Sequence, residues 1–108
     1  MIIKHKIWIE DKGQKAFGLG PLELLEAVNK MGSLKKGAES INMSYNKAWN
    51  LIKKLEKVNG FKILEKQVGG QGGGKSKITP EAYVLMEKFQ KFHKEVDLMI
   101  EEKYHAFF

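Results

Sequence analysis

The order of apolar and polar residues along the chain predicts a short pair of strands and then a helix. Residues 2–11 alternate between apolar and polar side chains, which is the period of a half-buried strand. A turn signal at residues 11–13 allows residues 14–18 to return as a second strand. Pro21 then opens a helix, because its missing N–H is harmless in a first turn, and Gly32 ends it.

Two shorter helices follow, separated by a tight turn. Ser33 and Ser44 are predicted to be N-caps, whose side-chain oxygens accept hydrogen bonds from first-turn N–H groups. Asn42 lies between the helices and tolerates the left-handed backbone that a sharp turn requires. Asn-Gly at residues 59–60 should stop the second helix. This arrangement is typical of a helix-turn-helix, although a helical hairpin in a small α-bundle has the same pattern.

The last part of the chain predicts a second hairpin and a long helix. Residues 63–68 and 75–78 are strand-like and flank a glycine-rich segment, after which Thr79 and Pro80 begin a helix. The order of elements indicates a winged helix-turn-helix. We therefore expect an α+β fold that is mainly α, with an N-terminal β-hairpin and a C-terminal dimerisation helix over residues 79–108. A single domain should span residues 1–108.

Composition narrows the classes of function. The chain has 108 residues, no cysteine and three scattered histidines, so we expect no disulfide, no metal site and no thiol chemistry. Charges interrupt the apolar run at the N-terminus, unlike in a signal peptide, and no apolar stretch approaches the ~20 residues that cross a membrane. We therefore expect a cytoplasmic protein without a membrane partner.

The positive charge is concentrated in the middle of the chain. The formal net charge is +6, and every basic residue is a lysine. Residues 33–77 contain ten lysines and three acidic residues, whereas the remainder contains nine lysines and ten acidic residues. A concentrated positive field attracts polyanions, so the helix-turn-helix segment is expected to bind double-stranded DNA. A solvated, lysine-rich surface is the alternative interpretation.

Residues 69–76, GGQGGGKS, match the P-loop signature GxxxxGK[ST], in which a helix begins at the lysine and cradles phosphates. A helix that started at Lys75 would place Pro80 in its interior, where proline removes a backbone hydrogen bond. No hydrophobic strand ending in Asp offers to hold Mg²⁺. We interpret the octet as the glycine tip of a DNA-binding wing, and we expect neither an enzyme nor a cofactor.

The predicted DNA contacts lie around the two motif helices and in the wing. The set is Ser33, Lys35, Ser44, Tyr45, Asn46, Lys47, Asn50, Lys54, Gly70, Gly72, Gly73, Lys75 and Lys77. Because the chain has no arginine, Lys47 or an Asn–adenine pair from Asn46 or Asn50 must read base edges. Wing glycines let the backbone approach phosphates, and the wing lysines supply charge. Trp49 is interpreted as a core or interface packing residue rather than a base-stacking one.

A heptad-like stripe in the last helix predicts a homodimer. The predicted interface consists of Leu85, Phe89, Phe92, Val96, Met99 and Ile100. A helix of up to ~29 residues is about 43 Å long, which exceeds the width of a winged-helix domain. Its distal half should therefore seek a partner. A two-fold dimer would place two recognition helices about 34 Å apart, one turn of DNA, on a palindromic site.

Several short motifs resemble the N-terminal DNA-binding domain of the molybdate-responsive ModE regulators. They are Gly32-Ser33, Met43-Ser44-Tyr45, Ala48-Trp49, and the wing sequence Val68–Gly74 leading to Ile78-Thr79. More distantly, Leu55-Glu56, Gly60 and Ile63-Leu64 are similar to the LysR-type headpiece. The resemblance, over roughly residues 17–90, implies a winged-helix dimer on palindromic operators of molybdate transport and molybdoenzyme genes. It also implies DNA contact by Ser44, Tyr45, Lys47 and the wing glycines.

The chain departs from that family in two residues and in length. Asn42 and Ala82 stand where glycine is frequent, and 108 residues leave no room for the family's molybdate-binding domains. The effector ligand is therefore unknown. The sequence is interpreted as a sequence-specific transcriptional regulator. A nonspecific DNA-architectural protein and a small P-loop nucleotide-binding enzyme are the alternatives.

Overall fold

Four helices and two antiparallel hairpins make up the part of the chain that the computed structural model describes, residues 1–66 and 75–108. In chain order they are β1 (Trp8–Asp11), β2 (Gln14–Gly18), α1 (Leu19–Met31), α2 (Leu34–Ser40), α3 (Tyr45–Asn59), β3 (Leu64–Lys66), β4 (Ser76–Ile78) and α4 (Pro80–Phe107). The strands pair β1 with β2 and β3 with β4. The predicted winged helix-turn-helix is confirmed. None of the helices in these residues is long and apolar enough to cross a membrane.

Local capping places the helix boundaries where the sequence predicts them. The Ser33 and Ser44 hydroxyls accept hydrogen bonds from the N–H groups of Lys36 and Lys47, at 3.1 and 3.2 Å. Asn42 has a φ of 57°, which is the left-handed turn conformation predicted for it. Ser33 begins α2, and Asn42 and Ser44 separate α2 from α3, so these residues set the geometry of the helix-turn-helix.

The core lies where α1, α2 and α3 meet the first turns of α4. Its members include Phe17, Leu24, Leu25, Val28, Ala38, Ala48, Leu55, Ile63, Ile78 and Phe89. The Phe89 ring is 2% exposed and meets Phe17 edge to face, with 5.4 Å between ring centroids. Phe89 therefore packs inside its own chain, and its assignment to a dimer interface is corrected. Leu85 also packs against this core with partial exposure.

A close approach between α1 and α2 depends on Gly37. A Cβ added at this position would lie 2.8 Å from the Cα atom and 2.8 Å from the backbone nitrogen of Val28. Only a residue without a side chain lets the two helices approach this closely. The neighbouring small residue Ala38 is also buried, at 1% exposure.

The N-terminal strand is shorter than the alternating pattern predicts. Pairing begins only at Trp8, and all four residues of β1 are exposed. Residues 1–7 form no strand, and the His5 Nε2 atom lies 2.8 Å from Oδ1 of Asp97 on α4. The predicted strand over residues 2–11 is therefore wrong in its first half. An extended segment beside a helix produces the same alternation as a strand in a sheet.

Candidate nucleic-acid interface

Helix α3 presents one polar face to solvent. Ala48, Ile52 and Leu55 bury the opposite face in the core. At 3.6 residues per turn the side chains farthest from the core belong to Asn46, Asn50, Lys53 and Lys57, all of which are exposed. Amide and ammonium groups on one helix face can hydrogen-bond base edges and phosphates. This is the face expected of a recognition helix.

The N-terminal end of α3 carries four of the predicted DNA contacts. Ser44, Tyr45, Asn46 and Lys47 are all exposed. The Ser44 oxygen accepts the Lys47 N–H, so its own hydroxyl hydrogen stays available as a donor. The helix dipole makes this end partly positive, which favours a phosphate nearby. On α2, Ser33 has the same capping role and Lys35 is exposed.

Two flanks border the polar face of α3. Lys47 and Lys54 lie on the flank away from the wing, and Tyr45 and Trp49 lie on the flank towards it. Trp49 is 44% exposed, so it does not pack in the core; packing at an interface, the other part of its interpretation, stays a prediction. The helix turns Ala48 into the core, and the next residue is rotated by about 100° towards the rim.

A cleft separates α3 from the wing strands. We call it the helix–wing cleft; its cavity volume is about 380 Å³. Its walls are Leu34, Lys35, Tyr45, Trp49, Ile52, Lys53, Glu56, Leu64, Glu65, Lys66 and Ser76. The Lys53 ammonium lies over the Trp49 ring, 5.1 Å from its centroid. This cleft was not predictable from the sequence, because its walls come from segments that only the fold brings together.

Glu56 fixes the position of the wing relative to α3. Its Oε2 atom accepts the Ile63 N–H at 2.9 Å, and its Oε1 atom lies 3.3 Å from the Lys53 Nζ atom. Burial acts to raise the pKa of the Glu56 carboxyl, but the Ile63 hydrogen bond and the Lys53 ammonium outweigh it. The pKa of Glu56 therefore lies below its ordinary value of 4.5. This role of Glu56 was not predicted from the sequence, where the only signal was Leu55-Glu56 within the more distant resemblance.

The wing strands place two predicted lysines on the surface. Lys75 and Lys77 are exposed, and Lys77 is the register partner of Glu65. The Ser76 N–H donates to the Gly32 carbonyl at 3.0 Å, which ties the wing to the turn before α2. The predicted contacts Gly70, Gly72 and Gly73 lie outside the described residues.

The P-loop geometry is replaced by a strand. Ser76 belongs to β4, and α4 begins at Pro80, with the Thr79 hydroxyl accepting the Ala82 N–H at 3.2 Å. No helix N-terminus therefore faces a phosphate at Lys75-Ser76, as a P-loop requires. In residues 1–66 and 75–108, no group of three or more His, Cys, Asp or Glu side chains could hold a metal ion.

Solved structures with this arrangement are DNA-binding domains. One is described as the CbnR DNA-binding domain in complex with DNA. It superimposes on the chain with a TM-score of 0.61, over 79% of this chain and 92% of its own. It is 16% identical and so shows the fold alone. A second, the BenM DNA-binding domain with benA site 1 DNA, is 25% identical, with a TM-score of 0.56 over 79% of this chain and 90% of its own.

Several curated proteins that are similar to the chain are ModE proteins. The transcriptional regulator ModE of Haemophilus influenzae is 28% identical over 104 residues, which are 94% of this chain and 38% of that protein. The molybdenum transport protein ModE of Herbaspirillum seropedicae is 30% identical over 66% of this chain and 26% of its own length. The DNA-binding transcriptional dual regulator ModE of Escherichia coli K12 is 28% identical over 63% of this chain and 26% of its own length. The chain thus matches less than two fifths of each relative.

The helix-turn-helix and wing also match a described family. Residues 19–82, more than half of the chain, match the family described as bacterial regulatory helix-turn-helix protein, lysR family. This match runs from the start of α1 to the first turn of α4, and so contains the whole candidate interface. The chain belongs to the lysR family of bacterial regulatory helix-turn-helix proteins.

Proposed function

We propose that this chain binds specific sites on double-stranded DNA as the operator-reading part of a bacterial transcriptional regulator. The observation that carries the proposal is the exposed polar face of α3, with Asn46 and Asn50 at its centre, within a helix-turn-helix of the matched family. The protein performs no catalysis in this role, and it acts in the cytoplasm, where bacterial DNA lies. Residues 1–108 act as one domain.

The side chains divide into base readers and phosphate binders. Asn46, Lys47 and Asn50 reach base edges in the major groove, since they lie in the first turns of α3. The phosphate contacts come from the two helix starts, the far flank of α3 and the wing. They are Ser33, Lys35, Ser44, Tyr45, Lys54, Lys75 and Lys77, with Gly70, Gly72 and Gly73 at the wing tip.

A homodimer on the distal half of α4 completes the proposal. Phe92 and Met99 are 52% and 53% exposed, and Val96 and Ile100 are half-buried beside them. An apolar cavity of about 370 Å³ continues this surface towards Ile3 and Phe107. A contiguous apolar surface of this kind favours association with a second copy. The dimer interface is thus Phe92, Val96, Met99 and Ile100, joined by part of Leu85.

The regulated genes are proposed from the relatives' names. Two of them are called regulators and one a molybdenum transport protein. The similarity supports operators near molybdate transport or molybdoenzyme genes. The effector ligand stays unassigned, because the chain matches only 26–38% of these proteins.

Selection from a pool of random-sequence duplexes tests the proposal. Duplexes of roughly 30 base pairs are long enough for two half-sites one helical turn apart. Repeated rounds with the intact chain should enrich an inverted repeat with half-site centres about 10 base pairs apart. A pool that stays random while binding the protein would instead indicate a nonspecific architectural protein. ATP turnover above background, lost in Lys75→Ala, would support an enzyme.

A further inference from the structure

The helix–wing cleft contains three residues that the proposed contacts do not include, Trp49, Lys53 and Lys66. Its lining includes the exposed aromatic side chains of Tyr45 and Trp49. Three lysines from three different elements stand around it: Lys35 from α2, Lys53 from α3 and Lys66 from β3. A cavity lined by aromatic rings and by lysine side chains suits a ligand that is apolar on one side and anionic on the other.

The two acidic residues of the cleft, Glu56 and Glu65, do not cancel the positive charge of its lysines. The Glu56 carboxylate is occupied by the Ile63 N–H and by Lys53. An ammonium has three donors, so Lys53 can bind Glu56 and a second anion together. Glu65 is exposed and faces Lys77 in the strand register. Lys35 and Lys66 are exposed and line the cleft from two different elements, α2 and β3.

The position of the cleft between α3 and the wing strands indicates which ligand it binds. This part of the inference rests on the proposed function. When α3 lies in the major groove and the wing reaches the neighbouring groove, one sugar–phosphate strand must pass between them. The space between α3 and the wing strands is the helix–wing cleft. The strand has the required chemistry, because each deoxyribose has an apolar face and each phosphate carries a negative charge.

We infer that the helix–wing cleft clamps one strand of the DNA duplex. A deoxyribose packs on the Trp49 ring, and the adjoining phosphate binds Lys35, Lys53 and Lys66. The Glu56 carboxylate positions Lys53 over the ring before DNA arrives, since the Lys53 Nζ atom already lies 3.3 Å from Oε1 of Glu56 and 5.1 Å from the Trp49 centroid. The clamp adds affinity and no sequence preference, because every nucleotide offers the same sugar and phosphate.

Replacement of Trp49 separates this clamp from base reading. Trp49→Ala should weaken binding to the selected and the random duplex alike, by about tenfold, the effect of truncating one anchoring aromatic residue. Trp49→Phe should recover most of the loss, because it restores an aromatic face. Trp8→Ala is the matched control: Trp8 is 47% exposed and also has lysines over its ring, but it lies in β1. It should bind both duplexes like the parent.

The salt dependence of DNA binding shows whether each of the three cleft lysines contacts a phosphate. Each of Lys35→Gln, Lys53→Gln and Lys66→Gln should reduce the slope of log affinity against log salt by about 0.9, one phosphate contact. Trp49→Ala should leave the slope unchanged, because indole carries no charge. Lys12→Gln, in the turn between β1 and β2, is the control and should also leave it unchanged.

Fluorescence of the Trp8→Ala chain gives a direct test, because Trp49 is then its only tryptophan. Addition of duplex should protect Trp49 from acrylamide quenching. Bound duplex with unchanged quenching and an unchanged Trp49→Ala affinity would overturn the clamp and leave DNA binding standing. The same protection by inorganic phosphate alone would indicate a small-anion site and also overturn it. An intact chain that binds no duplex would overturn both the clamp and the proposed function.

Discussion

At the scale of single residues, Glu56 has the largest structural effect near the interface. Its carboxylate is 11% exposed and holds the start of the wing through the Ile63 N–H. The same group binds Lys53. One side chain thereby sets both the position of the wing and the place of a cation beside the polar face of α3. A charged acceptor strengthens the hydrogen bond that it receives from the backbone.

Glu56→Gln should lower the free energy of unfolding at neutral pH by about 1 kcal/mol, since a charged hydrogen bond is replaced by a neutral one. The pKa of Glu56 is lowered in the folded state, so its charge stabilises the protein above the unfolded-state pKa. That contribution is lost as the pH falls below 4.5 through the folded-state pKa. Urea unfolding over this range should therefore show a flatter pH dependence in the variant.

Glu87→Gln is the control for this prediction. Glu87 also pairs with a lysine, Lys91 at 3.0 Å, but both side chains are well exposed. Its replacement should change stability by less than about 0.5 kcal/mol. Parallel pH profiles for the parent and Glu56→Gln would show that the carboxylate does not stabilise the wing.

Residues with local roles were predictable, and residues with tertiary roles were not. Ser33 and Ser44 cap helices through hydrogen bonds to residues three positions ahead, so the sequence contains both partners. Gly37 and Trp49 depend on the position of α1 and of the wing, which adjacent residues do not encode. The expectation that Trp49 packs in the core rested on residue type alone, because a large aromatic side chain next to a buried alanine usually packs in the core.

At the scale of elements, α4 has two roles: its first turns close the core, and its distal half presents an apolar surface. The single apolar stripe in the sequence did not distinguish them. The first turns of α4 close the core through Ala82, Met86 and Phe89. Hydrogen bonds to α1 fix the same part, from the Tyr83 hydroxyl to Asn29 and from the Gln90 amide to Glu26. Beyond residue 91 the apolar side chains are exposed or half-buried. A heptad count cannot divide a stripe between core and interface, because both use the same spacing.

Met99→Glu should convert the proposed dimer to a monomer at micromolar concentration, because it places a charge in the centre of the apolar surface. Sedimentation equilibrium measures this directly. Lys94→Glu introduces the same side chain at another exposed position of α4 and should remain dimeric. A parent chain that sediments as a monomer at micromolar concentration would contradict the dimer. A dimeric Met99→Glu chain would place the interface elsewhere.

At the scale of the whole molecule, the proposed DNA-binding surface and the proposed dimer surface lie in different parts of an elongated protein. The principal extents are 57, 29 and 22 Å, and the 28 residues of α4 account for about 42 Å at 1.5 Å per residue. The positive segment, residues 33–77, contains α2, α3 and the wing strands. This separation lets one end of the molecule associate while the other end stays free to bind DNA.

The sequence predicted the fold and the recognition helix, but only part of the interface. Hydrophobic periodicity and capping residues were sufficient to predict the helices α1, α2, α3 and α4, because these signals are local. The charge distribution indicated the segment that is proposed to bind a polyanion. The helix–wing cleft and the attachment of residues 1–7 to α4 required the fold, since they join segments far apart in the chain.

The affinity ratio between the selected duplex and a random duplex tests the central claim most directly, when it is measured for the parent, Asn50→Ala and Lys75→Ala. Asn50→Ala should reduce the ratio by about 1–3 kcal/mol of discrimination, because a bidentate base contact is lost. Lys75→Ala should weaken both duplexes equally, keep the ratio, and reduce the salt slope by about 0.9. A parent ratio near one, or an equal loss on both duplexes in Asn50→Ala, would contradict base reading by α3.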